Sequence, residues 1–425
     1  MLLPLPPGDV HGEGQTRAVR YFAMTPKKIL LLDRTLGRLA CVMLSLWSRI
    51  IRYVRPINYQ PPRRILFVKL IEMGSSVLAC PAFEEAVRRV GRENIFIILF
   101  APNRPIIDLL PFFPPENVLA IDDSSLGTFI PDLLRTLRRI RLENIDTAID
   151  MEGLTRSSAA ITYLSGARNR VGYHNFHSEG PYRGRLFTHE LSYNFQHHVS
   201  SMFLALVQAA FRQPGETPLL KEPVESRPLP RFEPNDDDAR KVRDLLDELT
   251  GGTPPGPVIL LNPNCSDLLP LRRWPEENMI ALGRRILNDL PDSVLAITGA
   301  SSEQSGAEEM AQAISESPRC ICVAGRTSLR DLLTLYGIAN VLISNDSGPC
   351  HFASLTPIPV IALFGPETPQ LYGPLGDRKI SISANLACSP CVNMLNHRFS
   401  PCTDNQCMKQ IPVERVYRTL TEILK

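Results

Sequence analysis

Short apolar segments alternate with amphipathic segments over most of this 425-residue chain, and this alternation limits the folds that it can adopt. Apolar runs typical of buried strands lie at 64–69, 95–99, 118–121, 147–150, 258–261, 294–298, 320–323, 341–344 and 360–364. Helical patterns lie between them, for example at 76–90, 130–141 and 157–165. Strands that alternate with helices at this spacing predict parallel, doubly wound α/β sheets.

Two interruptions divide this pattern into two blocks. A proline-containing acidic stretch lies at 227–238, and a Gly- and Pro-rich stretch lies at 250–257. Because 425 residues exceed what one core usually holds, we expect two Rossmann-like domains that face a cleft. The predicted division is a leader at 1–60, an N-terminal domain at 61–240, a C-terminal domain at 255–410 and a last helix at 411–425 that crosses back to the first domain.

The leader carries most of the basic charge. Residues 1–60 hold nine Lys/Arg and three Asp/Glu, a balance of +6, whereas the whole chain is at +2 and the remainder is therefore at −4. A short basic segment suits an anionic membrane surface, or it is a solvated tail. A nucleic-acid binder would carry its basic charge on the folded domains, so no nucleic-acid partner is predicted.

An amphipathic helix is predicted within the leader. Its apolar residues recur at steps of three and four, at Leu36, Leu39, Met43, Trp47, Ile50 and Val54. The uncharged run at 39–48 is too short to span a bilayer, which needs about 20 residues. The segment 34–55 therefore either lies in a membrane interface or packs on the first domain, and the pattern fits both.

Four of the ten cysteines are closely spaced near the end of the chain. They are Cys388, Cys391, Cys402 and Cys407, in the pattern C-x2-C-x10-C-x4-C, which is compatible with tetrahedral zinc. A structural zinc or other metal, redox-active thiols and disulfides are three interpretations that the spacing leaves open. The other six cysteines are scattered through predicted core or helix positions and no signal peptide is apparent, so a reducing cytosol is predicted.

The predicted strand at 341–344 ends in a loop that could bind an anion. Asp346, Ser347 and Gly348 precede or begin a predicted helix, whose backbone N–H groups and dipole favour a phosphate. Asp346 could also accept hydrogen bonds from sugar hydroxyls. The alternative is an ordinary helix cap, since Asp and Ser are favoured at that position.

Two further loops of the second block carry charged residues beyond predicted strands. Arg272 and Arg273 precede a helix, where they could neutralise a departing diphosphate, or they are simply solvated. Glu303 follows another strand, at a position where an acidic residue often binds a ribose hydroxyl.

The ordered set of motifs is more specific than any one of them. The set comprises Arg-Arg-Trp-Pro at 272–275, the loop 299–303, Ala-Gly-Arg-Thr-Ser-Leu-Arg-Asp-Leu at 324–332, Asn-Asp-Ser-Gly-Pro-Cys-His at 345–351 and Leu-Phe-Gly-Pro at 363–366. Together these motifs resemble glycosyltransferase family 9, the ADP-heptose:lipopolysaccharide heptosyltransferases, over most of residues 64–425. The resemblance implies a GT-B fold, an ADP-sugar or similar nucleotide-sugar donor on the C-terminal lobe, and an acceptor on the N-terminal lobe. It also implies inversion at the anomeric carbon with no cofactor required for catalysis.

The resemblance assigns roles to the loop residues of the second lobe. Asp346, Ser347 and Gly348 would hold the donor sugar and phosphates, and His351 would support their loop. Glu303 would reach the nucleoside ribose. One arginine of the 272–273 pair would take the place of the family's basic phosphate ligand, which is commonly lysine.

The loop after the first strand departs from the family pattern. Gly74 matches, but Ser75 occupies the catalytic position where the family has the aspartate proposed as general base. A serine without a basic partner is a poor proton acceptor, so we predict that Glu72, three residues earlier, is the relocated base. The alternative is that Glu72 is a surface residue of a protein with reduced or lost activity.

Acceptor contacts are predicted in the first lobe. Gly74 belongs to the loop that would face the acceptor, and Arg168 and Arg170 begin a segment rich in cationic and aromatic groups. An anionic or carbohydrate acceptor would use both kinds of group.

The sequence thus predicts an inverting glycosyltransferase, cytoplasmic or peripheral at the inner face of the cytoplasmic membrane. It would move heptose or a related sugar to a lipopolysaccharide-like or other cell-surface glycan or glycolipid acceptor. Two alternatives are a catalytically degenerate member that binds nucleotide sugar or glycan without turnover, and a sugar-nucleotide epimerase with the same two-lobed fold.

Overall fold

The structure is a computed structural model, which describes residues 33–54, 58–153, 155–174, 182–218, 228–252, 256–394 and 399–425. Most of the predicted leader, 1–32 and 55–57, lies outside the described residues, and so do parts of the predicted interruptions, at 227 and 253–255.

Two six-stranded sheets form the framework, and every strand pair in them is parallel. The first sheet contains β1 (Ile65–Val68), β2 (Ile95–Phe100), β3 (Val118–Ile121), β4 (Thr147–Asp150), β5 (Asn169–Tyr173) and β6 (His189–Leu191). The second contains β7 (Val258–Asn262), β8 (Val294–Ile297), β9 (Cys320–Cys322), β10 (Val341–Asn345), β11 (Val360–Phe364) and β12 (Lys379–Ser383). Two doubly wound lobes were predicted from the alternation, and this fold class is confirmed.

Helices connect the strands and cover both faces of each sheet. The first lobe has α1 (Arg38–Val54), α2 (Met73–Leu78), α3 (Cys80–Val90), α4 (Arg104–Asp108), α5 (Leu126–Leu142), α6 (Arg156–Leu164) and α7 (Val199–Ala210). Then come α8 (Asp236–Thr250), α9 (Glu276–Asp289), α10 (Gln304–Ile314), α11 (Leu329–Ile338), α12 (Gly348–Phe352), α13 (Pro369–Tyr372), α14 (Gln406–Lys409) and α15 (Val413–Leu424). A π-helical turn, Asp33–Gly37, precedes α1, and 3-10 turns lie at Arg92–Asn94, Ala101–Asn103, Pro115–Asn117, Pro270–Arg272, Ser301–Glu303 and Ala353–Leu355.

Both sheets have the same strand order, which determines where a ligand can bind. The orders are β3-β2-β1-β4-β5-β6 and β9-β8-β7-β10-β11-β12, so the order reverses direction between β1 and β4 and between β7 and β10. Loops that leave the carboxyl ends of such adjacent strands run to opposite sides and leave a crevice between them. The loops after β1, β4, β7 and β10 are therefore the expected walls of a site.

The sequence analysis did not predict three of the strands. β5 lies within the segment that was interpreted as an acceptor-binding stretch, and β6 and β12 are short or partly exposed. Polar residues such as Asn169 and Arg170 hide the apolar pattern of β5, because β-strand signals depend on alternation that these side chains interrupt.

Two local predictions about the second block were wrong. The acidic run at 236–238 is the first turn of α8, where Asn235 caps the helix by accepting the Asp238 N–H at 2.8 Å, so this part of the interruption is not a linker. The last helix does not cross back to the first lobe. Its buried Val416 and Leu420 join the same apolar cluster as Trp274 of the second lobe.

Helix α1 is attached to the first lobe by one face. The Asp33 carboxylate just before it accepts N–H groups from Arg156 and Ser157, both at 2.8 Å, and so caps the start of α6. Cys41 and Ser48 are buried on the same side. The helix is therefore fixed to the lobe, as one of the two sequence hypotheses for this segment expected.

The opposite face of α1 is apolar and open to solvent, in contrast to an ordinary surface helix. Leu39, Met43, Trp47 and Ile50 are 57–60% exposed. The predicted apolar stripe is therefore not the face that packs on the lobe. Within the described residues, no helix has the length and apolar character needed to cross a bilayer.

Candidate functional site

The crevices of the two lobes meet at Gly74. A Cβ atom at this position would lie 2.8 Å from His351 Cδ2 and 3.1 Å from Gly348 Cα, too close for any side chain without movement. Gly74 is on α2, after β1, whereas Gly348 and His351 are on α12, after β10. Because Gly74 has no side chain, the loop after β1 of the first lobe can touch the loop after β10 of the second lobe.

Arg272 lies at the centre of the second-lobe crevice. Its Nη1 is 3.7 Å from Asp346 Oδ2 and 3.7 Å from Glu367 Oε2, and its side chain is only 13% exposed. Arg273, the other member of the predicted pair, points outward to Asp267 on the surface. The structure therefore separates the two arginines, and Arg272 is the one that faces the crevice.

The Arg272 loop is held by hydrogen bonds to its backbone. Asn345, at the end of β10, accepts the Trp274 N–H at 3.1 Å. Asn405 donates to the carbonyl oxygens of Leu271 and Arg273, at 3.0 and 2.9 Å. The backbone on both sides of Arg272 is therefore fixed by hydrogen bonds.

The loop after β10 is more tightly packed than the sequence suggested. Ser347 is buried, and its hydroxyl donates to the Asn345 carbonyl at 3.2 Å rather than pointing into the crevice. Helix α12 begins at Gly348, as predicted, but it has only five residues, so its dipole is short. The buried His351 lies next to Gly74 of the first lobe.

Asp346, Cys350 and His351 bring their potential ligand atoms within 4.8 Å of one another, the one such group of three in the described part of the chain. Arg272 already opposes the charge of this group. Burial raises the pKa of the Cys350 thiol to about 12, and this thiol donates to the Ser347 carbonyl at 2.9 Å. The three side chains are thus buried within the packed loop after β10.

Glu303 lies beyond β8, at the same edge of the sheet. Its Oε2 accepts the Ala300 N–H at 2.7 Å, and a Cβ on Gly299 would lie 3.2 Å from that oxygen and 3.1 Å from Asn264 Nδ2. The carboxylate is half-exposed beside the loop that follows β7.

On the first lobe, Glu72 immediately precedes α2. Its backbone is left-handed, with φ +66°, and its residue is exposed at the edge of the crevice. The Ser75 hydroxyl donates to the Glu72 carbonyl at 3.0 Å, which uses it as a local helix contact. Two residues after Glu72, Gly74 touches the opposite lobe.

A buried ion pair, which the sequence analysis missed, lies beneath this loop. Lys69 at the end of β1 and Glu152 after β4 pair at 2.9 Å, and both side chains are almost fully buried. Each also binds the backbone of Ile71, since Lys69 donates to its carbonyl and Glu152 accepts its N–H. A Lys directly after an apolar strand was the sequence signal, but its partner lies 83 residues away.

A second buried pair stabilises the β4 edge. Asp150 pairs with Arg183, and it also accepts the Ser158 hydroxyl at 3.0 Å and the Glu152 N–H at 2.9 Å. Burial raises the pKa of Asp150 to about 6 despite the opposing effect of the Arg183 charge. This carboxylate is thus part of the support for Glu152 rather than a group open to the crevice.

Arg168 and Arg170 are not brought to the crevice. They lie at the amino end of β5, whereas the crevice is at the carboxyl ends of the strands. Arg170 donates to the Leu186 and Ala167 carbonyls, both at 2.7 Å, and Arg168 donates to Gln60. These contacts are typical of structural arginines at the amino ends of the strands, away from the crevice.

The cysteine cluster lies closer to the crevice than its sequence position implied. Cys391 N–H donates to the Pro366 carbonyl at 2.9 Å, and a Cβ on Gly365 would lie 3.0 Å from Cys407 Sγ. These contacts are immediately before Glu367. None of the cysteines forms a disulfide in the described structure, and Cys388 and Cys402 are exposed.

Comparisons with known proteins agree with this architecture. The sequence model described as glycosyltransferase family 9 (heptosyltransferase) matches residues 133–399. The lipooligosaccharide heptosyltransferase 2 of Haemophilus influenzae is 32% identical over 111 residues, which are 26% of this chain and 32% of that protein. The matched region of this chain thus spans about a third of the length of such curated relatives.

Solved structures match over a larger part of the chain. The ADP-heptose lps heptosyltransferase II of E. coli has a TM-score of 0.65 at 17% identity, over 85% of this chain and 98% of that one. E. coli heptosyltransferase WaaC with ADP-2-deoxy-2-fluoro heptose has a TM-score of 0.58 at 16% identity, over 84% and 99%. At these identities the likeness shows the fold, which is GT-B.

The Lys69–Glu152 pair generates a stability prediction. Replacing Glu152 with Leu should lower the free energy of unfolding by about 3–5 kcal/mol, because it leaves the Lys69 ammonium buried without its counter-charge. The double variant Lys69→Met/Glu152→Leu should recover most of this loss, as measured by urea denaturation. Equal stability of the single and double variants would contradict a buried ion pair.

Proposed function

Because the chain belongs to glycosyltransferase family 9, the heptosyltransferase family, we propose that it transfers heptose or a related sugar from a nucleotide diphosphate donor, such as an ADP-sugar, with inversion. The acceptor is a hydroxyl of a lipopolysaccharide-like or other cell-surface glycan. The observation that carries this proposal is Arg272, whose side chain is 13% exposed and lies beside Asp346 and Glu367 in the second-lobe crevice. The ADP-sugar analogue named with the similar WaaC structure supports the donor class.

The second lobe binds the donor in this proposal. Arg272 lies 3.7 Å from the carboxylates of Asp346 and Glu367, and in this proposal its guanidinium forms charge-assisted hydrogen bonds to the diphosphate oxygens. Asp346 and the Gly348 backbone then face the sugar and phosphates, and Glu303 reaches the ribose. The first lobe, across the crevice, binds the acceptor.

The transfer itself requires one base and one charge stabiliser. The acceptor oxygen forms a bond to the anomeric carbon while the bond from that carbon to the diphosphate oxygen breaks, and the nucleoside diphosphate leaves with the electron pair. Arg272 stabilises the charge that develops on the leaving group, so the proposal needs no metal ion for this step. The acceptor proton passes to Glu72.

Glu72 is favoured as the base by the environments of the neighbouring carboxylates. Asp346 and Glu367 are buried beside Arg272, and Glu152 is buried beside Lys69. Glu72 is exposed at the crevice edge and its backbone is fixed through Ile71. A carboxylate that is open to solvent and has a fixed backbone is suited to accept a proton from a bound hydroxyl.

The protein also binds the inner face of the cytoplasmic membrane in this proposal, through α1. Its open face presents Leu39, Met43, Trp47 and Ile50, and Arg38 and Arg49 are exposed on the same helix. The helix contains no Asp or Glu. An apolar face that contains Trp and is accompanied only by basic charges suits an anionic lipid interface. In a dimer formed through α1, the basic charges of the two helices would repel one another.

Substitution of Glu72 tests the catalytic step. Glu72→Gln should lower kcat by about 10²–10⁴, because the amide cannot accept the proton, while donor affinity stays the same. The measurement is product analysis and ADP release with a panel of nucleotide diphosphate sugars and a membrane glycolipid extract. Ser75→Ala is the matched control and should keep its activity. Donor binding without release by wild type would instead favour the degenerate, non-catalytic alternative that Ser75 motivates.

The two adjacent arginines provide a paired test of donor binding. Arg272→Gln should weaken ADP binding about 10- to 100-fold, because it removes charge-assisted hydrogen bonds to the diphosphate. Arg273→Gln should change the affinity by no more than about twofold, since Arg273 points to Asp267. Isothermal titration calorimetry with ADP measures both, and equal losses in the two variants would refute the assignment of Arg272.

Vesicle binding tests the role of α1. Met43→Glu/Trp47→Glu should reduce partition onto phosphatidylglycerol-containing vesicles at least about tenfold, because it places charges on the lipid-facing side. Leu142→Glu, at a 71% exposed position on α5, is the control and should partition like wild type. Equal partition of the double variant and wild type would contradict the proposal. It would also be contradicted if wild type did not bind vesicles but formed a dimer that the double variant abolishes.

A further inference from the structure

A second contact between the loops of the two lobes lies at Gly153. Gly153 is on the loop after β4, whereas Met394 belongs to the second lobe, on the segment that follows β12. A Cβ atom on Gly153 would overlap the methyl group of Met394 and lie 3.1 Å from its sulfur. The Met394 side chain thus occupies the space that a side chain of residue 153 would fill.

The first-lobe surface that receives Met394 is apolar. The same position on Gly153 is 3.5 Å from Cδ2 of Tyr173, the last residue of β5. The Tyr173 ring is buried and meets the Tyr193 ring edge-on, with the ring centroids 5.2 Å apart. Met394 packs against the apolar cluster that contains both tyrosines. A flexible thioether suits such an irregular space, so one lobe inserts a side chain into the other.

On its own lobe, Met394 is held by the loop that carries Glu367. The N–H groups of Cys391 and Val392 both donate to the Pro366 carbonyl at 2.9 Å, and Val392 is buried. Pro366 immediately precedes Glu367, which lies beside Arg272. The position of Met394 is therefore tied to the donor side of the crevice.

On the first lobe, Gly153 adjoins the support of the Glu72 loop. Glu152, the residue before Gly153, accepts the Ile71 N–H at 3.0 Å and pairs with Lys69 at 2.9 Å. Ile71 immediately precedes Glu72. A displacement of the loop after β4 would therefore be transmitted through Glu152 to the backbone of Glu72.

Two separate contacts determine more of the geometry than one. The contact at Gly74 alone would bring the lobes together but would leave them able to rotate about it. The contact at Gly153 is on the loop after β4, at the other side of the first-lobe switch point. The lobes also meet where His198 Nε2 lies 3.0 Å from the Gly373 carbonyl, but these groups flank α7 and α13 rather than the Glu72 loop or its support.

We propose that Met394 is a positioning residue for the transfer, a second-lobe side chain that keeps the Glu72 loop of the first lobe in register with the bound donor. It acts through Gly153 and Glu152 rather than on the reacting atoms. A small displacement of a base from a bound hydroxyl strongly slows proton transfer, so a contact outside the chemistry can control the rate. The role in turnover rests on the proposed function, in which Glu72 is the base.

Hydrogen exchange of the full chain tests the contact without turnover. Met394→Ala should speed amide exchange in residues 70–76 at least about tenfold, because the loop after β4 loses its packing partner. Met310→Ala, in the buried core of the second lobe, is the matched control and should leave exchange at 70–76 unchanged although it destabilises its own lobe. Equal exchange at 70–76 in wild type and Met394→Ala, or the same increase in Met310→Ala, would overturn the proposal.

Turnover separates positioning from a general loss of structure. Met394→Ala should lower kcat about 10- to 100-fold, because Glu72 is displaced from the acceptor hydroxyl. Its affinity for ADP in isothermal titration calorimetry should stay within about twofold of wild type. Met394→Leu, which refills the space, should restore most of the rate. Parallel losses of kcat and ADP affinity would show a purely structural role and overturn the proposal.

The glycine provides the reciprocal test. Gly153→Ala should also lower kcat, because its methyl group displaces Met394. The double variant Gly153→Ala/Met394→Ala should lose no more activity than Met394→Ala alone, since the shortened side chain leaves room for the new methyl group. Additive losses would contradict a direct contact. Failure of the proposed transferase would appear differently, as an absence of nucleoside diphosphate release by wild type while the exchange difference at 70–76 persists.

Discussion

The close approach of the two lobes at Gly74 is the constraint on which the rest of the site depends. A single methyl group at this position would collide with His351 and press against Gly348, so the loops after β1 and β10 could not touch. The strand order of each sheet directs these loops outward from a switch point. A glycine is therefore what allows the two crevices to adjoin, with the Glu72 loop on one wall and the loop after β10 on the other.

The buried charges on the two walls differ in a way that suits their roles. Lys69 and Glu152 are 2.9 Å apart and both bind the backbone of Ile71, so this pair is closed on itself and rigid. Arg272 Nη1 is 3.7 Å from Asp346 Oδ2 and 3.7 Å from Glu367 Oε2. The first lobe thus fixes the Ile71 backbone with one buried ion pair, whereas the second lobe places one cation between two carboxylates.

Periodicity was sufficient to predict most strands, because buried parallel strands are continuous apolar runs. It also located the loops that carry Arg272, Asp346 and His351. It could not choose between Arg272 and Arg273, since adjacent side chains diverge only when Asn345 and Asn405 fix the loop. Glu152 and Glu367 were missed because their partners, Lys69 and Arg272, are distant in sequence, and pairing over such distances is determined by sheet topology.

Asp33 connects the leader helix directly to the amino end of α6, the helix that follows β4. In the proposed arrangement at a membrane, this attachment would make the first lobe the half of the protein that is fixed to the lipid surface. The second lobe would then exchange its nucleotide with the aqueous side, while the search for a lipid-linked acceptor is reduced to diffusion in two dimensions at a constant orientation. A helix that contributes no atom to the chemistry would in this way set the encounter rate and the geometry of approach.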